Sequence, residues 1–222
     1  HIHELGLGGL MADIGKMKVP DALLRRDGPL NPAEFEVVKR HVNYSVEIMG
    51  ASRDMAPNAI AIVAAHHERF DGTGYPDKLS AGQIPMHARM AAIVDTFDAV
   101  TSDRAHAKAL APHDAIALLY EQRNKGFQDE LIEQFIQTLG PYPVGTLIEF
   151  DTGEVGIVIE QNRVRRLRPK VVLLLDASKR PIKSTPTLNL MSETHNEDGQ
   201  AINILHSLTP GAYDIDPEEF YL

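Results

Sequence analysis

The spacing of apolar residues changes once along this chain, at Pro141-Tyr142-Pro143, and that change limits the fold more than any single residue does. Before it the spacing is helical. Ile2, Leu5, Leu10 and Met11 give a rough stripe that Gly15 and Pro20 interrupt. Asn31-Pro32-Ala33-Glu34 combines an N-cap, a proline at the first helical position and a glutamate at the third, predicting a helix through about Gly50. Pro57 opens another, which the spacing carries to about Phe70-Asp71-Gly72. After Pro85, Met90, Ile93, Val94, Phe97 and Val100 recur at helical intervals. Further helices are expected from Pro112 and over 128–139. Beyond the prolines, strands are expected over 146–150, 154–160 and 170–176, with Asp151-Thr152-Gly153 turning between the first two. Short pieces over 187–191 and 201–205 add to them. The fold class is therefore mainly α, with a helical domain over 1–140 followed by a small β-rich unit over 141–222.

A chain of 222 residues with 43% apolar and 24% charged residues has the composition of an ordinary globular protein. No apolar run reaches the roughly 18 residues that a membrane span needs. The net charge of −9 argues against a non-specific DNA or RNA binder, which requires a basic face. It leaves a nucleotide substrate open, because bound cations reverse the local field. Cysteine is absent, which excludes disulfides and thiolate metal sites and fits a reducing, cytoplasmic setting. The first residue is His1, already in a helix-like pattern, so the sequence reads as a piece with further residues upstream.

Five polar residues stand out against this background. Asp13 lies at a helix end just before Gly15. His41 sits at the border of an apolar face made by Val37, Val38, Val42 and Val46. His66 and His67 follow the apolar run IAIVAA; adjacent helical residues point about 100 degrees apart, so both reach one cluster only if the helix ends there. Asp95 interrupts the apolar AAIVDTFDAV, a costly place for a carboxylate that is neither paired nor metal-bound, and Asp98 lies about one turn on. Carboxylates and imidazoles without thiols suit iron, manganese, zinc or magnesium. Two such ions a few Å apart clamp a phosphodiester and activate water. Lys16, three residues after Asp13, is placed to meet a phosphate oxygen or to pair with Asp98. On these residues alone, five unrelated polar groups remain an equal alternative.

The motifs DIGKMKVP at 13–20, RH at 40–41, AAHHERFDGTGYP at 64–76 and ARMAAIVDTFDAVTSDR at 88–104 occur in an order and spacing that resembles the HD-GYP family over about residues 5–140. The resemblance implies an all-helical domain with two or three metal ions, often iron or manganese, that hydrolyses cyclic di-GMP to pGpG and then GMP. It implies that Asp13 bridges two metals, that His41, His66 and His67 complete one site, and that Asp95 serves the other. Lys16 would face the phosphate, held by Asp98. Tyr75, Arg104 and Lys108 match positions near the ligand, and Gly72 and Gly74 would supply positive φ in a tight loop. GGDEF-type cyclases and a second copy of the chain are the protein partners it brings to mind. From PYPVGTLIEF onward the chain is similar to a C-terminal extension of one subgroup, whose members also carry a separate N-terminal domain, expected upstream of His1.

Three departures accompany the likeness. Ala12 stands where the family has the histidine preceding the aspartate, and the loss is expected to fall on the metal that Asp95 serves, leaving one ion instead of two. A further ligand from an earlier helix is not matched by His1 or His3, read as surface residues. RAHAK at 104–108 replaces the more basic RPYRK, so Ala107 removes a cation near the dinucleotide. The alternative to an enzyme is a degenerate module that binds cyclic di-GMP or a protein partner. In the β-rich unit, His195 and His206 are expected to be surface or structural residues, and the basic stretch 162–170 a solvated strand connection.

Overall fold

The computed structural model describes residues 2–52, 54–103, 108–196 and 199–216. Its elements run α1 (Ile2–Met11), a 3₁₀ turn (Ile14–Lys18), α2 (Asp21–Leu24), α3 (Pro32–Lys39), α4 (His41–Gly50), α5 (Pro57–Ala65), α6 (Met86–Thr101), α7 (Pro112–Glu121) and α8 (Asp129–Leu139). Five strands follow, β1 (Leu147–Phe150), β2 (Val155–Glu160), β3 (Lys170–Leu175), β4 (Thr187–Asn189) and β5 (Ile204–Ser207). The described residues form two compact units. One draws on the described residues within 1–99, 103–108 and 119–135, the other on those within 100–102, 109–118 and 136–222.

In the first unit, α4 and α5 meet over Met49, Ala59 and Val63, with Met11, Val46 and Ile60 packed around them. Fully burying a methionine or valine side chain such as Met49 or Val63 contributes about 1.5–3 kcal/mol. The start of α6 closes a second cluster, Ala65, Ile84 and Ala88 under Leu79. The capping box expected at Asn31 is present: Asn31 Oδ1 accepts the Glu34 N–H at 2.9 Å, and the Glu34 carboxylate accepts the Asn31 N–H at 3.0 Å.

Two helix boundaries differ from the sequence expectation, and both differences build the site. The helix opened at Asn31 does not run unbroken to Gly50; it stops at Arg40, where a new helix begins. The helix opened at Pro57 ends at Ala65, several residues before Phe70. In each case a histidine stands beside the break, and its ring nitrogen bonds the backbone carbonyl three residues back.

The second unit holds an antiparallel sheet in the order β4-β3-β2-β1-β5. Ile148, Phe150, Val158, Val171, Leu190 and Ile202 form one buried cluster, and Leu147, Val155, Ile157, Leu174 and Leu175 another, so the sheet residues serve two apolar clusters. This explains why β3 reads as a continuous apolar run rather than an alternating one. The last strand is Ile204–Ser207 rather than 201–205, because Ala201 instead bridges to His195. His3, His195 and His206 are exposed. No helix among the described residues is long and apolar enough to cross a membrane.

Candidate metal centre

Asp13, His41, His66 and His67 each offer a ligand atom within 4.8 Å of the others. They come from three places, the turn after α1, the start of α4 and the turn after α5. Ending α5 at Ala65 removes the helical constraint that would have splayed His66 and His67, and their rings lie 4.0 Å apart.

The ring orientations follow from hydrogen bonding. His41 Nδ1 lies 2.8 Å from the Val38 carbonyl and His66 Nδ1 lies 2.8 Å from the Val63 carbonyl. A carbonyl only accepts, so in both rings Nδ1 carries a hydrogen, and in the neutral ring Nε2 then presents its lone pair. These Nε2 atoms point at Asp13: His41 Nε2 is 3.1 Å and His66 Nε2 is 4.0 Å from Asp13 Oδ1. Both histidines are 1% exposed. His41 Nε2, His66 Nε2 and Asp13 Oδ1 are all buried and none has a hydrogen-bond partner. At 3.1 Å the first pair is within hydrogen-bonding reach, yet two acceptors face each other there and only a proton or a cation between them resolves the contact. Anchoring one ring nitrogen on a carbonyl while aiming the other inward is the usual support of a metal-binding histidine. Three imidazole nitrogens and a carboxylate oxygen fit a divalent cation.

The electrostatics agree. Burial alone would raise the Asp13 carboxyl, but His41 and Lys16 outweigh it and hold Asp13 well below the ordinary carboxylate range. Burial, reinforced by the neighbouring His66, His41 and Arg69, depresses His67 to about 2. Burial likewise lowers His66. These imidazoles are therefore neutral at pH 7, the state a metal requires. Burial raises Asp95, whose Oδ2 lies 3.7 Å from His67 Nδ1.

The remaining residues picked from the sequence fall as follows. Lys16 Nζ is 2.6 Å from Asp13 Oδ2, so its ammonium sits on the cluster's own carboxylate rather than waiting for Asp98. Asp98 is exposed on α6. The Tyr75 ring lies 4.7 Å from that of His67, and burial pushes its phenol above the ordinary range. Lys108 is exposed, 3.4 Å from Asp103. Arg104 and Ala107 lie outside the described residues. Ala12 opens the turn after α1, and its carbonyl accepts the Ser45 hydroxyl at 2.9 Å.

Three supporting residues escaped the sequence reading. Ser45, fully buried on α4 one turn after His41, donates to the Ala12 carbonyl and accepts the Gly15 N–H at 2.8 Å. It thereby ties the Asp13 turn to the helix that carries His41. Glu68 is 1% exposed and accepts the Asp77 and Leu79 N–H groups at 2.7 and 3.0 Å, folding the GTGYP loop back over His67. Arg69, its guanidinium over the ring of Phe127 at 5.1 Å from the centroid, donates to the His66 and Glu68 carbonyls. Serine spaced four residues after a candidate ligand was the one available signal; the other two look like surface charge in sequence. Gly72 has the expected positive φ of 81°, whereas Gly74 does not; a Cβ at Gly74 would come within 2.3 Å of the Arg69 nitrogen, so close approach is what requires glycine there.

Ser45→Ala should leave the Gly15 N–H and the Ala12 carbonyl unpaired in the interior. A loss of about 1–3 kcal/mol in urea unfolding is expected, together with weaker manganese binding by titration. An unchanged unfolding midpoint and manganese affinity would show that the hydroxyl ties nothing together.

Comparison with known proteins places this arrangement. The family model described as HD domain matches residues 2–131, and the one described as KOW domain associated with HD domain matches 147–203. A Pseudomonas aeruginosa protein named cyclic di-GMP phosphodiesterase is 40% identical over 182 residues, covering 82% of this chain and 44% of that protein. A Vibrio cholerae protein named 3'3'-cGAMP-specific phosphodiesterase 2 is 35% identical over 126 residues, covering 56% of this chain and 24% of that protein. A solved HDG"Y"P protein from Bdellovibrio bacteriovorus shares the fold with a TM-score of 0.50 at 19% identity, over 61% of this chain and 43% of that one. The chain spans less than half the length of these curated relatives. It belongs to the HD domain family, in its HD-GYP branch, and carries the KOW-type unit associated with it.

Proposed function

We propose that this HD-GYP chain binds cyclic di-GMP at a metal centre held by Asp13, His41, His66 and His67, and hydrolyses it to pGpG and then GMP at a rate limited by Ala12. The observation that carries this reading is that three buried atoms, Asp13 Oδ1, His41 Nε2 and His66 Nε2, face one another without a hydrogen-bond partner. The name of the Pseudomonas relative supports the substrate. The domain division that goes with it is a helical catalytic domain up to about residue 140 and a β-rich unit beyond.

Iron or manganese bound there would polarise a phosphoryl oxygen and lower the pKa of a coordinated water. The chain's own residues do the rest. The Val38 and Val63 carbonyls hold the two imidazoles in the tautomer that offers Nε2. Lys16, already beside Asp13, supplies positive charge for a non-bridging phosphate oxygen. Tyr75 over His67 closes one side of the centre, and Lys108 with Arg104 supplies charge for the second phosphate. Hydrolysis adds the water oxygen to phosphorus and breaks the bond to the 3' oxygen, which leaves as a protonated hydroxyl. Asp95, with only a long contact to His67, belongs to a second metal position that lacks an imidazole at residue 12.

Ala12 itself favours a second reading, in which the centre binds the dinucleotide without turning it over and the chain acts through a protein partner such as a GGDEF-type cyclase or a second copy. Incubation with cyclic di-GMP and Mn²⁺ or Fe²⁺, followed by chromatography of pGpG, separates the two. Slow, chelator-sensitive appearance of pGpG is expected. Tight binding with no product over a day would leave only the second reading, and a preference for 3'3'-cGAMP would move the substrate assignment.

A further inference from the structure

We propose that Phe35 and Lys39 form the seat for a guanine base of the bound dinucleotide, an inference that rests on the reading of the site just given. Phe35 and Lys39 lie four residues apart on α3 and so share a face. Phe35 leaves 43% of its surface exposed, so its ring is open to a ligand. The exposed ring stands beside the metal centre. Its centroid is 6.1 Å from that of Tyr75, edge to face, and Tyr75 is 4.7 Å from His67. Phe35, Tyr75 and His67 thus make a continuous aromatic row leading outward from the cluster.

The Lys39 ammonium lies over both outer rings, 4.7 Å from the centroid of Phe35 and 5.3 Å from that of Tyr75. Glu36 occupies one side of it at 2.6 Å, leaving further N–H donors of the ammonium to serve a ligand. A planar ring beside a cation with spare donors suits a nucleobase better than a sugar or an aliphatic chain, because the base uses both features. Stacking takes the π-face of any base. The cation selects among them: guanine offers O6 and N7 as acceptors, whereas adenine presents an N6–H₂ donor where O6 would be. Guanine is therefore the base this rim prefers.

The test uses the manganese-loaded full chain and rapid filtration on ice, with cyclic di-GMP, cyclic di-AMP and inorganic phosphate as ligands. Phe35→Leu is expected to weaken cyclic di-GMP about ten-fold, while Phe35→Trp retains it. Lys39→Met should weaken it about three- to five-fold and remove the preference over cyclic di-AMP. Manganese uptake, phosphate binding and circular dichroism should stay as in the parent chain, which excludes a folding defect. Parent-like cyclic di-GMP affinity in Phe35→Leu, with manganese and phosphate unchanged, would overturn the base seat and leave the metal site standing. A parent chain that takes up manganese but no cyclic di-GMP would overturn both.

Discussion

Replacing Ala12 by histidine is expected to raise the bound metal from one ion per chain to two and the turnover of cyclic di-GMP by about 100-fold or more. Residue 12 directly precedes Asp13, and its carbonyl is pinned by Ser45, so the backbone that would carry the new imidazole is already fixed. Asp95 is the carboxylate with most to gain. Burial raises it and its contact with His67 is 3.7 Å, too long to satisfy it. The four-residue cluster does not involve position 12, so the first ion should be retained in either form. Elemental analysis and chromatography of pGpG read the two effects separately. Two ions already present in the parent chain, or no gain in turnover once a second ion is bound, would refute the assignment of the defect to this position.

Gly15→Ala is expected to be the most damaging single methyl in the helical unit. A Cβ there would lie 2.1 Å from the His41 carbonyl oxygen and 2.5 Å from the Ser45 nitrogen, both backbone atoms that cannot swing aside. Relief requires the turn and α4 to separate, which breaks the Ser45 hydrogen bonds and moves Asp13 away from His41. A cost of about 3 kcal/mol or more follows, with Tm lower by roughly 6–12 °C for a chain of this size. Manganese binding should be lost with it. Gly6→Ala is the control, since nothing lies within 4 Å of its Cβ and it sits inside α1. Alanine there should be neutral or mildly stabilising, by up to about 1 kcal/mol. Equal effects at the two glycines would mean that packing of the turn against α4 does not set stability.

The residue types of the site were legible because they violate local expectation. Asp95 in an apolar helix, a histidine pair after IAIVAA and an aspartate beside Gly15 each stand out in sequence, and Asp13, His41, His66 and His67 do come together. The capping box at Asn31 was legible for a similar reason, as it depends on residues three apart. Gly74 and Ser45 were not legible in their roles, because close approach and a shared hydroxyl involve partners far along the chain.

What the sequence determined by itself, then, is local: helix starts, the change to strands after Pro143, and an inventory of hard donors without thiols. Tertiary structure alone decided where the helices stop. The helices end at Arg40 and Ala65, and beside each end a histidine ring bonds a backbone carbonyl, His41 that of Val38 and His66 that of Val63. Periodicity cannot report those contacts. What the two ring contacts serve is the approach of both Nε2 atoms to Asp13, which exists only once three separate segments have packed together.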